Sequence, residues 1–112
     1  MEIPAETAGS VVVLTPRVGA LDASNSRLFS RQVTRQVAPG GKVAIDMSRV
    51  TLVDSFGFGA IITCLRHLRP GGGDLKLFAL TKPVRIVSEV IRLHKLVDIL
   101  NTRDEALRAF GA

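Results

Sequence analysis

The stretch Lys42–Gly59 reads K-V-A-I-D-M-S-R-V-T-L-V-D-S-F-G-F-G. Val43, Ala44, Ile45 and Met47 make a mostly apolar run, interrupted by Asp46, as expected of a strand covered on both faces. Leu52 and Val53 form a second short apolar pair. Asp54 and Ser55 then stand before Phe56-Gly57-Phe58-Gly59-Ala60-Ile61-Ile62, where helical spacing begins. Asp and Ser cap helices because their side-chain oxygens accept the free amide hydrogens of the first turn. The stretch therefore reads as strand, turn and helix start, with Ser55 at the start. A helix start also favours negative charge.

The plainest reading of Ser55 is an ordinary N-cap. Two neighbouring features point further. Gly57 and Gly59 each cost about 1 kcal/mol in a helix relative to Ala, which makes sense if another chain must approach closely. Phe56 and Phe58 are two of only five aromatic residues. Two apart on a helix, they do not share a face. One is expected at the surface, where an aromatic beside a polar site suits a protein partner.

Outward from this stretch, 112 residues suffice for one domain with one core, over residues 1–112. Apolar residues make up 46% of the chain, which excludes disorder. No apolar run reaches the length of a membrane span, and the N-terminus lacks the basic and apolar regions of a signal peptide. A single cysteine makes no internal disulfide. These features fit a cytoplasmic protein without membrane insertion. The net charge of +5 raises nucleic acid as a partner. The basic residues are scattered, however, and there is no Trp or Tyr to stack on bases, so no direct nucleic-acid binding is expected. A scattered positive surface suits an acidic protein equally well.

Val11–Leu14 is a strand by composition, with Pro4 restricting any earlier strand to a short edge. Gly19 opens a turn. Asp22 to Ser24 offer caps for a helix to about Val37, with Phe29, Val33 and Val37 inward and Leu28 alongside. Arg27, Arg31 and Arg35 form a stripe at spacing four, read as a solvated face, with a docking stripe for an acidic partner as the alternative. Pro39-Gly40-Gly41 ends this helix. After Ser55, the spacing of Ile61, Cys64, Leu65 and Leu68 gives a core stripe, placing Cys64 as a small buried residue. His67, among Arg66 and Arg69, is expected to be exposed. Pro70-Gly71-Gly72-Gly73-Asp74 is a turn before a strand over Leu75–Leu80. Thr81 is expected to cap the next helix, with Val84, Val87, Val90 and Ile91 buried. A short strand at Val97–Leu100 follows. Thr102 to Glu105 then form a capping box opening a last helix, with Ala106, Leu107 and Phe110 inward. The alternation predicts α/β layering, with helices packed on a small sheet.

Catalysis by Ser55 needs a general base, usually His. His67 lies roughly 18 Å further along the helix. His94 stands alone, and neither a phosphate-binding loop nor a metal-ligand spacing is present. The chain is therefore not read as an enzyme, and no cofactor or metal is implied. Ser55 is better read as a substrate. Phosphorylation would add roughly −1.5 to −2 charges at a place the fold tolerates. A partner docking over Ser55, Phe56 and Phe58 would then meet a hydrated dianion beside apolar contacts, reinforced by Asp54 and Asp22.

The segment D-S-F-G-F-G at 54–59 resembles the D-S-S-G-L-G signature of STAS domains, in particular the bacterial anti-sigma factor antagonists. Gly19-Ala20-Leu21-Asp22 is similar to the family's G-x-L-D, and the order of elements agrees from about Ser10 onward. The resemblance implies a mixed sheet of four or five strands with about four helices, mainly on one face. It also implies that Ser55 is phosphorylated by an anti-sigma factor that is itself a serine kinase. The unphosphorylated form would bind that kinase and release the sigma factor, and a PP2C-type phosphatase would reset the switch. Carried over, Asp54 caps the loop and contributes to partner contact. Asp22 is the acidic residue near the site, and Gly57 and Gly59 permit close approach. The family often has Ser at the position of Phe56 and Leu at that of Phe58, which bears on which kinase docks. Some STAS domains act without phosphorylation, as subunits of transporters or sensory assemblies, and this is the alternative function.

Overall fold

The computed structural model describes residues 1–111. Strands β1 (Ala5–Ala8), β2 (Val11–Leu14), β4 (Lys42–Asp46), β6 (Asp74–Phe78) and β7 (Asp98–Leu100) form one sheet in that order. β1 is an antiparallel edge strand, directly after Pro4, and the other pairings are parallel. Two further strands, β3 (Ala20–Leu21) and β5 (Leu52–Val53), pair in parallel as a separate two-stranded sheet. The helices are α1 (Ser26–Gln36), α2 (Ser55–Leu68), α3 (Lys82–Val90) and α4 (Arg103–Ala109), with one 3-10 turn at Leu93–Lys95. The mixed α/β architecture is the one expected; the separate β3–β5 pair is an addition to it.

Alternation along the central strands divides the molecule into two layers. Leu14, Val43, Ile45, Leu75 and Leu77 point to one face, where Phe29, Val33, Ile61, Leu65 and Leu68 cover them from α1 and α2. Val11, Val13, Ala44 and Phe78 point to the other face, which α4 covers with Ala106, Leu107 and Phe110. α3 adds Val84 to the first layer, so three helices lie on one side and one on the other. Lys76 is the polar member of this second layer. Its Nζ lies 3.2 Å from Asp74, 2.5 Å from Asp98 and 4.8 Å from the centre of the Phe110 ring. Burial pulls its pKa down, but hydrogen bonds and charge from Asp98 and Asp74 outweigh this and leave it raised.

Half of the capping box forms: the Glu105 amide donates to Thr102 Oγ1 at 3.2 Å, but the Glu105 carboxylate accepts from the Thr102 hydroxyl at 3.3 Å and not from its backbone amide. Three local expectations change. Thr81 precedes α3 but does not cap it, because its hydroxyl donates to the Val50 carbonyl at 2.7 Å. α3 buries Val84 and Ser88, whereas Val87, Val90 and Ile91 are exposed, Val90 to 77%. Ser88 can go inward because its hydroxyl donates to the Arg85 carbonyl within the same helix. His67 is half-buried rather than exposed, with Nε2 2.8 Å from the Val37 carbonyl, and it fastens α2 to the end of α1.

Cys64 is fully buried among the α2 core residues, and burial pushes its thiol up to about 12. The native protein should therefore react with a disulfide reagent at pH 8 about 100-fold more slowly, or slower still, than the protein in denaturant. Release of the chromophoric thiol measures both rates, and equal rates would place the sulfur at the surface.

Candidate functional site

The β3–β5 pair sets the site. The two strands run side by side in parallel, so the helices that follow them start at the same end. The Thr51 and Leu52 amides donate to the Gly19 carbonyl, and the Asp54 amide donates to Leu21 at 3.3 Å. The loop from Asp22 to Asn25 folds back on itself. The Asp22 amide donates to Asn25 Oδ1, and Asn25 Nδ2 donates to the Ala20 carbonyl. Asn25, not the Asp22–Ser24 segment, stands at the N-cap of α1, and its side chain holds this loop instead of capping the helix.

Asp54 is the N-cap of α2. Its Oδ1 accepts from the Gly57 amide at 2.9 Å, and its Oδ2 accepts from the Ala23 amide at 3.2 Å. One carboxylate therefore satisfies a free amide of α2 and ties it to the loop before α1. Ser55 is the first residue of the helix, one place beyond the cap, so the N-cap reading of Ser55 is corrected. It is exposed, and its hydroxyl makes no hydrogen bond among the described residues. Asp22 meets α1 only through its backbone carbonyl, which accepts from the Ser26 amide at 2.9 Å. Its carboxylate accepts from the Ser24 hydroxyl at 2.6 Å and from the Ser24 amide at 2.9 Å, and these two bonds hold its pKa below the usual carboxylate range.

The two phenylalanines separate as their spacing requires. Phe56 is 61% exposed and Phe58 only 6%. The Phe58 ring belongs to the main core, so it is removed from the surface that a partner could touch. The two glycines separate as well. A Cβ at Gly57 would stand 2.2 Å from the Leu21 carbonyl oxygen and 2.7 Å from a Val53 methyl, whereas at Gly59 it would meet nothing within 4 Å. Gly57 is thus demanded by the chain's own packing and not by a visitor.

Between α1 and α2 lies an open groove of about 300 Å³. Ser55 and Phe56 line one wall, with Thr63 further along; Ser26, Arg27 and Ser30 line the other. The sequence pattern places none of these α1 residues at the site, because the contact between the helices is long-range. A local signal exists: Arg27 lies in the first turn of α1, where a cation opposes the helix dipole. The histidines stand away from this groove. His67 is engaged with Val37 near the far end of α2, and His94 is exposed on the 3-10 turn. Among the described residues no group of three or more His, Cys, Asp or Glu is placed to hold a metal ion.

The family model of the STAS domain matches residues 2–106. The chain belongs to the STAS domain family. A relative from Thermotoga neapolitana, named as a candidate anti-sigma factor antagonist, is 30% identical over 93% of each chain. The crystal structure of a Thermotoga maritima protein with the same designation superposes with a TM-score of 0.85 at 28% identity, covering 96% of this chain and 92% of that one. The anti-sigma factor antagonist SpoIIAA in its unphosphorylated form aligns over 99% of this chain and 98% of its own, with a TM-score of 0.76 at 22% identity. SpoIIAA from Bacillus in its phosphorylated form aligns over 97% and 99%, at a TM-score of 0.66 and 20% identity. At such identities SpoIIAA shares the fold of this STAS domain. Among the described residues no helix is long and apolar enough to cross a membrane.

The glycine pair gives a direct test. Gly57→Ala should destabilise the domain by about 2 kcal/mol or more, because backbone must shift to admit the methyl group. Gly59→Ala should stabilise it by about 0.5–1 kcal/mol, since an open helical position gains propensity. Urea unfolding followed by circular dichroism measures both, and the same sign for the two would contradict the packing described.

Proposed function

We propose that this STAS domain is a cytoplasmic anti-sigma factor antagonist whose Ser55 hydroxyl accepts the phosphoryl group. The observation that carries the reading is the state of that hydroxyl. It is exposed, free of intramolecular hydrogen bonds among the described residues, and fixed in place by a capped helix beside an exposed Phe56. In the reaction, Ser55 Oγ would attack the γ-phosphorus of ATP held by the anti-sigma factor serine kinase. The Oγ–P bond forms, the bond to ADP breaks, and a base of the kinase takes the hydroxyl proton. The names of the relatives support the antagonist role, and SpoIIAA, described in both forms, is a STAS-fold protein that carries phosphate.

The unphosphorylated surface offers Phe56, the open backbone at Gly59 and the nearby Leu52, 54% exposed, to the kinase. Asp54 contributes by orienting the helix start. Asp22, kept ionised by Ser24, adds negative potential at the margin. Once phosphate is attached, two or nearly two negative charges with their hydration shell stand beside Phe56. Docking then requires their desolvation, and the partner is turned away without a change of fold. A PP2C-type phosphatase would restore the hydroxyl.

Incubation with the cognate kinase and ATP should add one phosphate to the wild type and none to Ser55→Ala, as read by intact-mass spectrometry. Ser55→Asp should bind the kinase at least about tenfold more weakly, about 1.4 kcal/mol. It should unfold at the same temperature as the wild type or slightly higher, because a carboxylate at the first position of a helix is favoured by about 0.3–1 kcal/mol. Phosphate appearing on Ser55→Ala at the wild-type rate would move the acceptor elsewhere.

A further inference from the structure

Arg27 has a charge that its own helix does not explain. It occupies the first turn of α1, which contains no acidic residue, so nothing there offsets its repulsion from the positive end of the helix dipole. It is exposed, and among the described residues its guanidinium enters no ion pair and no hydrogen bond. Arg31 and Arg35 share its stripe, but Arg35 lies in the last turn of α1, where a cation is favoured. A solvated basic face therefore accounts for Arg35 and leaves Arg27 over.

Ser55 lies on the opposite wall of the same groove. We propose that Arg27 is the intramolecular partner of phosphorylated Ser55, its guanidinium closing across the groove onto the phosphate oxygens. The inference rests on the reading of Ser55 as the phosphoryl acceptor and adds the residue that receives the product. A guanidinium is well matched to this role. Its N–H groups form a planar fork that meets two phosphate oxygens, and its charge persists at every relevant pH.

The surroundings make a cation necessary. Asp54 directly precedes Ser55, and Asp22 directly precedes Ala23, whose amide Asp54 holds, so two carboxylates belong to the same pair of helix starts as the phosphate. Both are already engaged with backbone amides, Asp54 with Gly57 and Ala23, and Asp22 with Ser24. Their charge nevertheless opposes a dianion. The groove further offers the hydroxyls of Ser26, Ser30 and Thr63, of which Ser30 and Thr63 donate to carbonyls of their own helices. Arg27 is the cation lining this groove. With Arg27 across it, the phosphorylated protein fills the groove beside Phe56 with its own ion pair, and the phosphate is held by its own chain instead of being presented to a partner.

The test uses full-length protein with phosphoserine incorporated at position 55 during translation, so that no kinase is required. Titration by ³¹P NMR gives the second pKa of the phosphoserine, and ¹H–¹⁵N spectra verify the fold of each variant. Arg27 lowers that pKa by favouring the dianion. Arg27→Gln should therefore raise it by about half a unit or more, and Arg27→Lys by less. Arg35→Gln removes the same charge from the far end of α1 and should leave the value unchanged. No shift in Arg27→Gln, or an equal shift in Arg27→Gln and Arg35→Gln, overturns the pairing. Such a failure would leave the assignment of Ser55 untouched, since that depends on the kinase experiment alone.

Discussion

The carboxylate of Asp54 holds two helix starts together. Its two oxygens accept from amides on different segments, Gly57 in α2 and Ala23 ahead of α1. The bridge is short because Gly57 has no side chain and α2 can press against the Leu21 carbonyl at the end of β3. The presentation of Ser55 follows from this arrangement. A helix whose first turn is capped and seated on a strand end holds its first residue in one place, and that residue, Ser55, is exposed. The rigid part of the site is thus made of Asp54, Gly57, Leu21 and Phe58, and the proposed acceptor, Ser55, is a side chain that none of them engages in a hydrogen bond.

That division suits control by surface charge. The core beneath the site is closed: Phe58, Ile61 and Val53 are buried, and α2 continues into a fully buried stripe. A group attached at Ser55 meets solvent, the groove and Arg27, not the core. Negative charge there agrees with the polarity of both α1 and α2, whose positive ends meet at the loop before α1. On the proposed reading of Ser55, the fold would carry both forms alike, and a second protein would encounter the difference between them.

α3 is where packing departs furthest from the sequence pattern. Val84, Val87, Val90 and Ile91 form a regular helical stripe, yet the helix is turned so that Val84 and Ser88 face inward. Ile86, Val87, Val90 and Ile91 are left in solvent. The helix is pinned at both ends by contacts outside itself. Thr81 donates to the Val50 carbonyl before it, and Leu93 enters the core just after it. With both ends fixed, the rotation follows from them, and Ser88 is accommodated by a hydrogen bond to its own helix.

What the sequence by itself determined rests on near neighbours. Composition and alternation located β2, β4 and β6. Proline and glycine marked where elements stop. Thr102 and Glu105 announced the start of α4, and the two-residue spacing of Phe56 and Phe58 required one ring in and one out. The motif at 54–59 and its partner at 19–22 carried the family. Only the tertiary structure decided which element meets which. It made Asp54 the bridge to Ala23, explained Gly57 by the Leu21 carbonyl, drew His67 onto Val37, turned α3 and set Arg27 opposite Ser55. These contacts join residues close to thirty apart or more, or depend on how a whole helix is seated. Local periodicity defines a face on a helix, but the direction of that face is set by packing against distant parts of the chain.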